Sequence, residues 1–290
     1  MTEVVTSLAQ WRGLTDQLRL GGSTVGLTMT MGALHAGHRS LFEAAVAKCD
    51  AAVATIFVNP LQFNDPADLS AYPADLDADL AMTEAAGVRA VLVPATVEVW
   101  PGWPEPIATS VHVAGVADRF EGAHRPGHFD GVATVVTKLL VATGPCTAYF
   151  GEKDYQQLCV VRRVVEDLGL HASIVGCPTV REPDGLALSS RNAKLSERGR
   201  AAAACLPRAL AAGRDALEHG ATINDAEAAM QAVVASEPEV SLAYAAVVEP
   251  ATLRGPTNAV PGTELRLLIA GVVDGVRLID NVAAVCGAPL

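Results

Sequence analysis

Aromatic residues are scarce in this 290-residue chain, at 4% Phe, Trp and Tyr, so its core must be mainly aliphatic. Basic residues are a minority too: 21 Lys and Arg stand against 32 Asp and Glu, a formal net charge of −11. A phosphate-backbone binder needs a basic face, so no nucleic acid is expected as a partner. An acidic chain can still bind a nucleotide where positive charge gathers locally. Paired cysteine spacings are missing: Cys49, Cys146, Cys159, Cys177, Cys205 and Cys286 are scattered. They suit small buried thiols of a reducing compartment better than metal ligands. The start, MTEVVTSLAQW, lacks a basic n-region and an apolar h-region, and no apolar run is long enough to span a bilayer. The expectation is a cytoplasmic protein with no membrane partner.

What is present is a chain that is 50% hydrophobic, enough for a sizeable core in one large or two modest domains. Short apolar runs at residues 25–29, 52–58, 88–93, 147–150 and 172–175 read as buried strands. Between them, residues 40–49, 76–86, 131–141 and 156–168 carry helical spacing. Repeated strand–helix alternation predicts a doubly wound parallel sheet, whose ligands sit at the carboxyl ends of its strands. Chemistry should therefore lie just after Met29, Val58, Phe150 and Val175. Beyond about Val180 the pattern changes. A long Ala-rich helix is expected over 197–219, a second over 224–235, and strands over 242–248 and 265–270. Asp274-Gly275 between apolar flanks signals a two-residue hairpin. The domains are expected as 1–179, α/β, and 180–290, a smaller C-terminal α+β domain closing over the site.

Four clusters stand out, the first three just after expected strands and the fourth near the change of pattern. In Thr30-Met31-Gly32-Ala33-Leu34-His35-Ala36-Gly37-His38, a strand-to-helix loop offers backbone N–H groups and a helix dipole to an anion. His35 and His38 are three apart and can share one side of the first turn, to hold phosphate or simply to cap the helix. After the next strand, Asn59 and Gln62 offer neutral amides for hydroxyls or a carboxylate, or form an ordinary Asn-Pro turn. Gly151-Glu152-Lys153-Asp154 begins where a strand ends. Lys153 brings mobile positive charge, Asp154 can accept from ribose hydroxyls or cap a helix, and Gln157 sits one turn beyond Lys153. Leu188-Ser189-Ser190-Arg191 combines two hydroxyls with a guanidinium, as a phosphate clamp would, or is an ordinary polar approach to a helix N-terminus. A fifth stretch, His124 to Phe129, reads as an exposed loop at His124, with Arg125 and His128 left open. No third ligand with metal spacing accompanies the histidines, so no protein-held metal is expected.

These clusters, in this order, resemble the pantothenate synthetase family from about Val25 to Asn192, with a weaker echo in Leu278-Ile279-Asp280-Asn281. Met31–His38 is similar to the HxGH segment of adenylyl-transferring, Rossmann-like enzymes of the nucleotidylyltransferase type. The resemblance implies that pantoate and ATP form pantoyl adenylate and pyrophosphate, and that β-alanine then displaces AMP to give pantothenate. It also implies roles. His38 would be the proton donor and His35 a phosphate contact. Gly151 and Asp154 would hold ribose, Lys153 phosphate, and Val180 the adenine region. Ser189, Ser190 and Arg191 would bind phosphates, and Gln62 and Gln157 would hold pantoate, with Gln62 also near the amine. Mg²⁺ would arrive mainly through the phosphates, and the assembly would be a homodimer. Two departures stand out: Met29 replaces a usual Pro, and Ala36 replaces a frequent acidic residue. Two other functions share parts of the pattern. An adenylyl transferase acting on a phosphorylated acceptor would want extra basic residues, whereas Asn59, Gln62 and Gln157 are neutral. A non-catalytic ATP sensor would need neither paired histidines nor a second domain.

Overall fold

A computed structural model describes residues 2–256 and 259–288. Six strands form one parallel sheet: β1 (Glu3–Val5), β2 (Val25–Thr30), β3 (Ala51–Ile56), β4 (Ala90–Leu92), β5 (Cys146–Gly151) and β6 (Ala172–Cys177). Their order is β1-β4-β3-β2-β5-β6. From β2 the chain steps through β3 to β4, then returns to the other side of β2 for β5 and β6. The direction of winding thus reverses between β2 and β5, the point at which such sheets bind ligands. Right-handed crossovers then put the connecting helices on opposite faces. In keeping with this, Ala36–Lys48 packs against Leu76–Ala85, and Leu8–Leu20 against His128–Thr143. The central strands are apolar on both faces because both are covered; β3 is buried at all six positions.

The structure adds an edge to the sequence reading. Strand β1 and helix Leu8–Leu20 were not anticipated. Three residues are too few for a periodic signal, and the helix buries only Trp11 and Thr15. Trp11 is fully buried, and its Nε1 donates to Thr143 Oγ1 at 2.9 Å.

A separate antiparallel sheet, β7 (Ser241–Val248), β8 (Glu264–Val273) and β9 (Val276–Val285), lies in the order β7-β8-β9. One face packs under helices Cys205–Glu218 and Ile223–Ala235, where Leu206, Leu210, Met230, Leu265, Leu267 and Ile269 form an aliphatic core. The β8–β9 turn has Asp274 at φ 52° and Gly275 at φ 76°, the two positive values that a tight hairpin requires. The single helix expected over 197–219 is instead two, Glu197–Ala203 and Cys205–Glu218. Pro207 explains the break: it has no N–H to give to the carbonyl of Ala203, and its ring crowds that carbonyl.

The chain divides into two compact units. One runs up to Gly151 and resumes over Gln156–Pro178; the other comprises Glu152–Tyr155 and the chain from Thr179 onward. A single cut near residue 180 therefore misassigns Glu152, Lys153 and Asp154, which pack with the antiparallel sheet. Among the described residues, no helix is long and apolar enough to cross a membrane. Cys159, Cys177, Cys205 and Cys286 are buried, and Cys49 and Cys146 are partly so.

Candidate active site

In the first unit, three parallel strands end side by side. Thr30 of β2 pairs with Ile56 of β3, and Thr28 pairs with Tyr149 of β5, so the carboxyl ends of the three strands, at residues 30, 56 and 151, share one edge. The loop after β2 turns through Gly32 at φ 83° and Ala33 at φ 51°. A side chain at position 32 would be strained by that φ, and its Cβ would lie 2.8 Å from Asp79 Oδ2. Asp79, only 4% exposed, accepts from the N–H of Ala33 at 3.0 Å and of Leu34 at 2.8 Å. Sequence reading passed over Asp79, because an acidic residue in a helix's first turn is ordinary; its partners lie some 45 positions away.

His35 is the N-cap of helix Ala36–Lys48, and its Nδ1 accepts from Gly37 N–H at 3.1 Å. His38 reaches back, its Nδ1 accepting from His35 N–H at 3.3 Å, and the two rings lie 4.2 Å apart. Both capping and pairing are thus realised. An Nδ1 that accepts leaves Nε2 as the N–H nitrogen of each ring. The expectation of open backbone N–H groups needs correction. Thr30 Oγ1, Asp79, His38 and His35 take the amides of Gly32, Ala33, Leu34, His35 and Gly37. What this loop offers an anion is chiefly imidazole, held by its own backbone.

The second cluster joins the first. Gln62 Nε2 donates to Met31 Sδ at 2.9 Å. Asn59, 1% exposed, donates through Nδ2 to Gln62 Oε1 and to the Gly131 carbonyl, both at 3.1 Å. Its Oδ1 accepts from Trp100 Nε1 at 3.1 Å. Asn59 therefore orients the Gln62 amide. His128 Nδ1 lies 2.8 Å and Arg125 Nη2 3.2 Å from the Gln62 carbonyl, so both histidine and arginine of the fifth stretch meet this loop. Residue 131 must be glycine: a Cβ there would come within 2.3 Å of the Leu61 carbonyl oxygen. Further along, Gln156 is buried, its amide bonded to Val116, Arg119 and Glu121, while Gln157 is half-buried. The two neighbouring glutamines are distinguished by that: Gln156 is structural.

In the second unit, Lys153, Ser189 and Arg191 line one shallow cleft with Arg277, Ile279 and Asp280. Arg277 is a further cation that sequence reading did not single out. Val180 and Leu188 are brought together by the Leu188 N–H to Val180 carbonyl bond at 2.9 Å. Ser189 Oγ accepts from Arg191 N–H at 3.3 Å and opens the short helix Ser190–Lys194, leaving the Ser190 and Arg191 side chains exposed. The loop is braced from behind. Arg181 forms a two-pronged pair with buried Asp280 at 2.7 and 3.0 Å. Glu182 takes hydrogen bonds from Asn192 and from Arg200, which hold its carboxyl below the usual glutamate range. Among the described residues no group of three His, Cys, Asp or Glu is arranged to hold a metal ion.

The family model described as pantoate-beta-alanine ligase matches residues 3–283. A pantothenate synthetase of Cereibacter sphaeroides is 49% identical over 282 residues, covering 97% of this chain and 99% of that protein. The crystal structure of pantothenate synthetase from Thermus thermophilus superposes with a TM-score of 0.88 at 44% identity, covering 97% of this chain and 99% of that one. A pantoate-beta-alanine ligase of Francisella tularensis, complexed with beta-gamma ATP and beta-alanine, gives 0.76 at 30% identity, covering 97% of each chain. Matched over nearly its whole length by these relatives, the chain belongs to the pantoate–β-alanine ligase family.

Proposed function

We propose that this protein condenses pantoate with β-alanine in two steps at the expense of ATP. Pantoate's carboxylate attacks the α-phosphorus, releasing pyrophosphate and leaving pantoyl adenylate. β-Alanine then attacks the acyl carbon as its neutral amine and displaces AMP. The observation that carries this reading is the meeting of the His35/His38 loop, the Asn59/Gln62 loop and the exit of β5 at the switch point of one parallel sheet. That is where an α/β sheet accepts a nucleotide.

The chemistry asks for little from the protein beyond position and charge. A carboxylate is already ionised at neutral pH, its pKa being about 4, so the first step needs no general base. It needs in-line approach and neutralised phosphate charge. Met31 to His38, with Gly32, Ala33, Leu34, Ala36 and Gly37, would line the nucleotide, the two imidazoles meeting its phosphates and His38 giving a proton. Gly151 and Asp154 would hold the ribose, Lys153 the phosphate side, and Val180 the adenine region, with Glu152 lining the nucleotide and Leu188, Ser189, Ser190 and Arg191 as the phosphate clamp. The cleft shared by Lys153, Ser189 and Arg191 supports this grouping. Mg²⁺ would enter with the triphosphate. Gln62 and Gln157 would hold pantoate, Asn59 fixing the Gln62 amide.

Measuring AMP formed from ATP while pantoate and β-alanine are each left out tests the reading. Sustained AMP formation should require all three substrates. AMP formation that ignores pantoate, or no AMP under any condition, would overturn it. We further predict that His38→Ala or Lys153→Ala slows adenylate formation by about two to four powers of ten. A loss under about threefold would remove that residue from the mechanism.

A further inference from the structure

Lys153 belongs to a segment that the second unit holds with unusual completeness. Asn281 of β9 is 4% exposed, and its amide Nδ2 donates to two successive carbonyls, Glu152 at 2.9 Å and Lys153 at 3.0 Å. Its Oδ1 accepts from Arg266 Nε at 2.7 Å, with a second contact from Arg266 Nη2. Arg266 is itself 7% exposed. It pairs with Glu152 Oε2 at 3.0 Å and lies 4.0 Å from the Tyr155 ring centroid. Strand register explains the convergence. Arg266 pairs with Ala283 and Leu268 with Asn281, so Arg266 and Asn281 are diagonal neighbours on the sheet face away from the helical core. A four-residue segment thus has two carbonyls, one carboxylate and one ring fixed by two buried side chains.

We propose that Asn281, with Arg266 behind it, is a positioning residue that sets where the Lys153 ammonium stands for adenylyl transfer. The inference rests on the phosphate role proposed for Lys153. An amide that grips the carbonyls on either side of the Lys153 peptide fixes the direction in which that side chain leaves the backbone. Losing it frees the lysine to sample orientations that do not meet phosphate, and misplacement by about 1 Å can cost a hundredfold in rate.

Asn281→Asp keeps the size and the acceptor for Arg266 but loses both donors; Asn281→Ala removes the amide without adding charge. Each is combined with Lys153→Ala, and pyrophosphate release from ATP and pantoate is followed at a temperature where melting curves show the proteins folded. In the Lys153 background each Asn281 variant should slow release by about ten- to a hundredfold; in the Lys153→Ala background, by less than about threefold. A merely structural role would lower the rate equally in both backgrounds, and that outcome overturns the proposal, as does no loss in either. If Lys153→Ala alone changes little, the phosphate role of Lys153 fails and the positioning role falls with it. If Lys153→Ala is severe but the Asn281 variants are silent, only the positioning role fails.

Discussion

At the scale of single residues, the least conspicuous group does the most for the His35/His38 loop. Asp79 gives both carboxylate oxygens to the N–H groups of Ala33 and Leu34. We predict that Asp79→Ala, which orphans both, lowers stability by about 1–3 kcal/mol and raises KM for ATP more than KM for pantoate. Denaturant melts and steady-state kinetics check this; equal rises in both constants would contradict it. Gly32→Ala should harm the same loop, since its φ of 83° and the 2.8 Å approach to Asp79 leave no room for a methyl group. The histidine pair and Lys153 were legible in the sequence because each sits in a short motif with its own spacing. Asp79, Arg266 and Asn281 were not legible as partners of those motifs. Their roles exist only once residues far apart in the chain are brought together; nothing local marks Asp79 or Arg266, and the Leu278–Asn281 resemblance gives Asn281 no role.

At the scale of elements, apolar runs and turn residues revealed five of the six parallel strands, because strands covered on both faces read as uninterrupted aliphatic stretches. The three-residue β1 escaped for want of length. The Pro207 break was missed because helix formers on either side outweighed one proline in a pattern of spacing. The 181–192 loop behind Ser189 and Arg191 makes a pH prediction. Glu182 is held below the usual glutamate range by Asn192 first and Arg200 second. A carboxyl with a depressed folded-state pKa adds stability that is complete above the unfolded value, about 4.3, and is lost as pH falls through the folded value. Glu182→Gln should therefore lower the melting temperature at pH 7 and lose that deficit progressively below about pH 4.3. A deficit that stays constant between pH 7 and pH 3 would show that ionisation of Glu182 does not matter.

At the scale of the whole molecule, the two classes of architecture were legible, and the path of the chain between them was not. Composition and period change near residue 180, which suggests one cut. The structure assigns Glu152–Tyr155 to the second unit although both neighbouring stretches belong to the first. Periodicity cannot see that, because the reason is Asn281 and Arg266 more than 110 positions away. A non-hydrolysable ATP analogue should slow hydrogen exchange in residues 31–38 and in 188–192 alike. Protection confined to one of these segments would contradict that. The most direct test is a single-turnover burst of pyrophosphate from ATP and pantoate with β-alanine withheld. The unaltered protein should release close to one pyrophosphate per active site and stop, while His38→Ala and Lys153→Ala each slow the burst at least a hundredfold. A burst of unchanged rate in both variants, or none from the unaltered protein, would refute the assignment of adenylate chemistry to these residues.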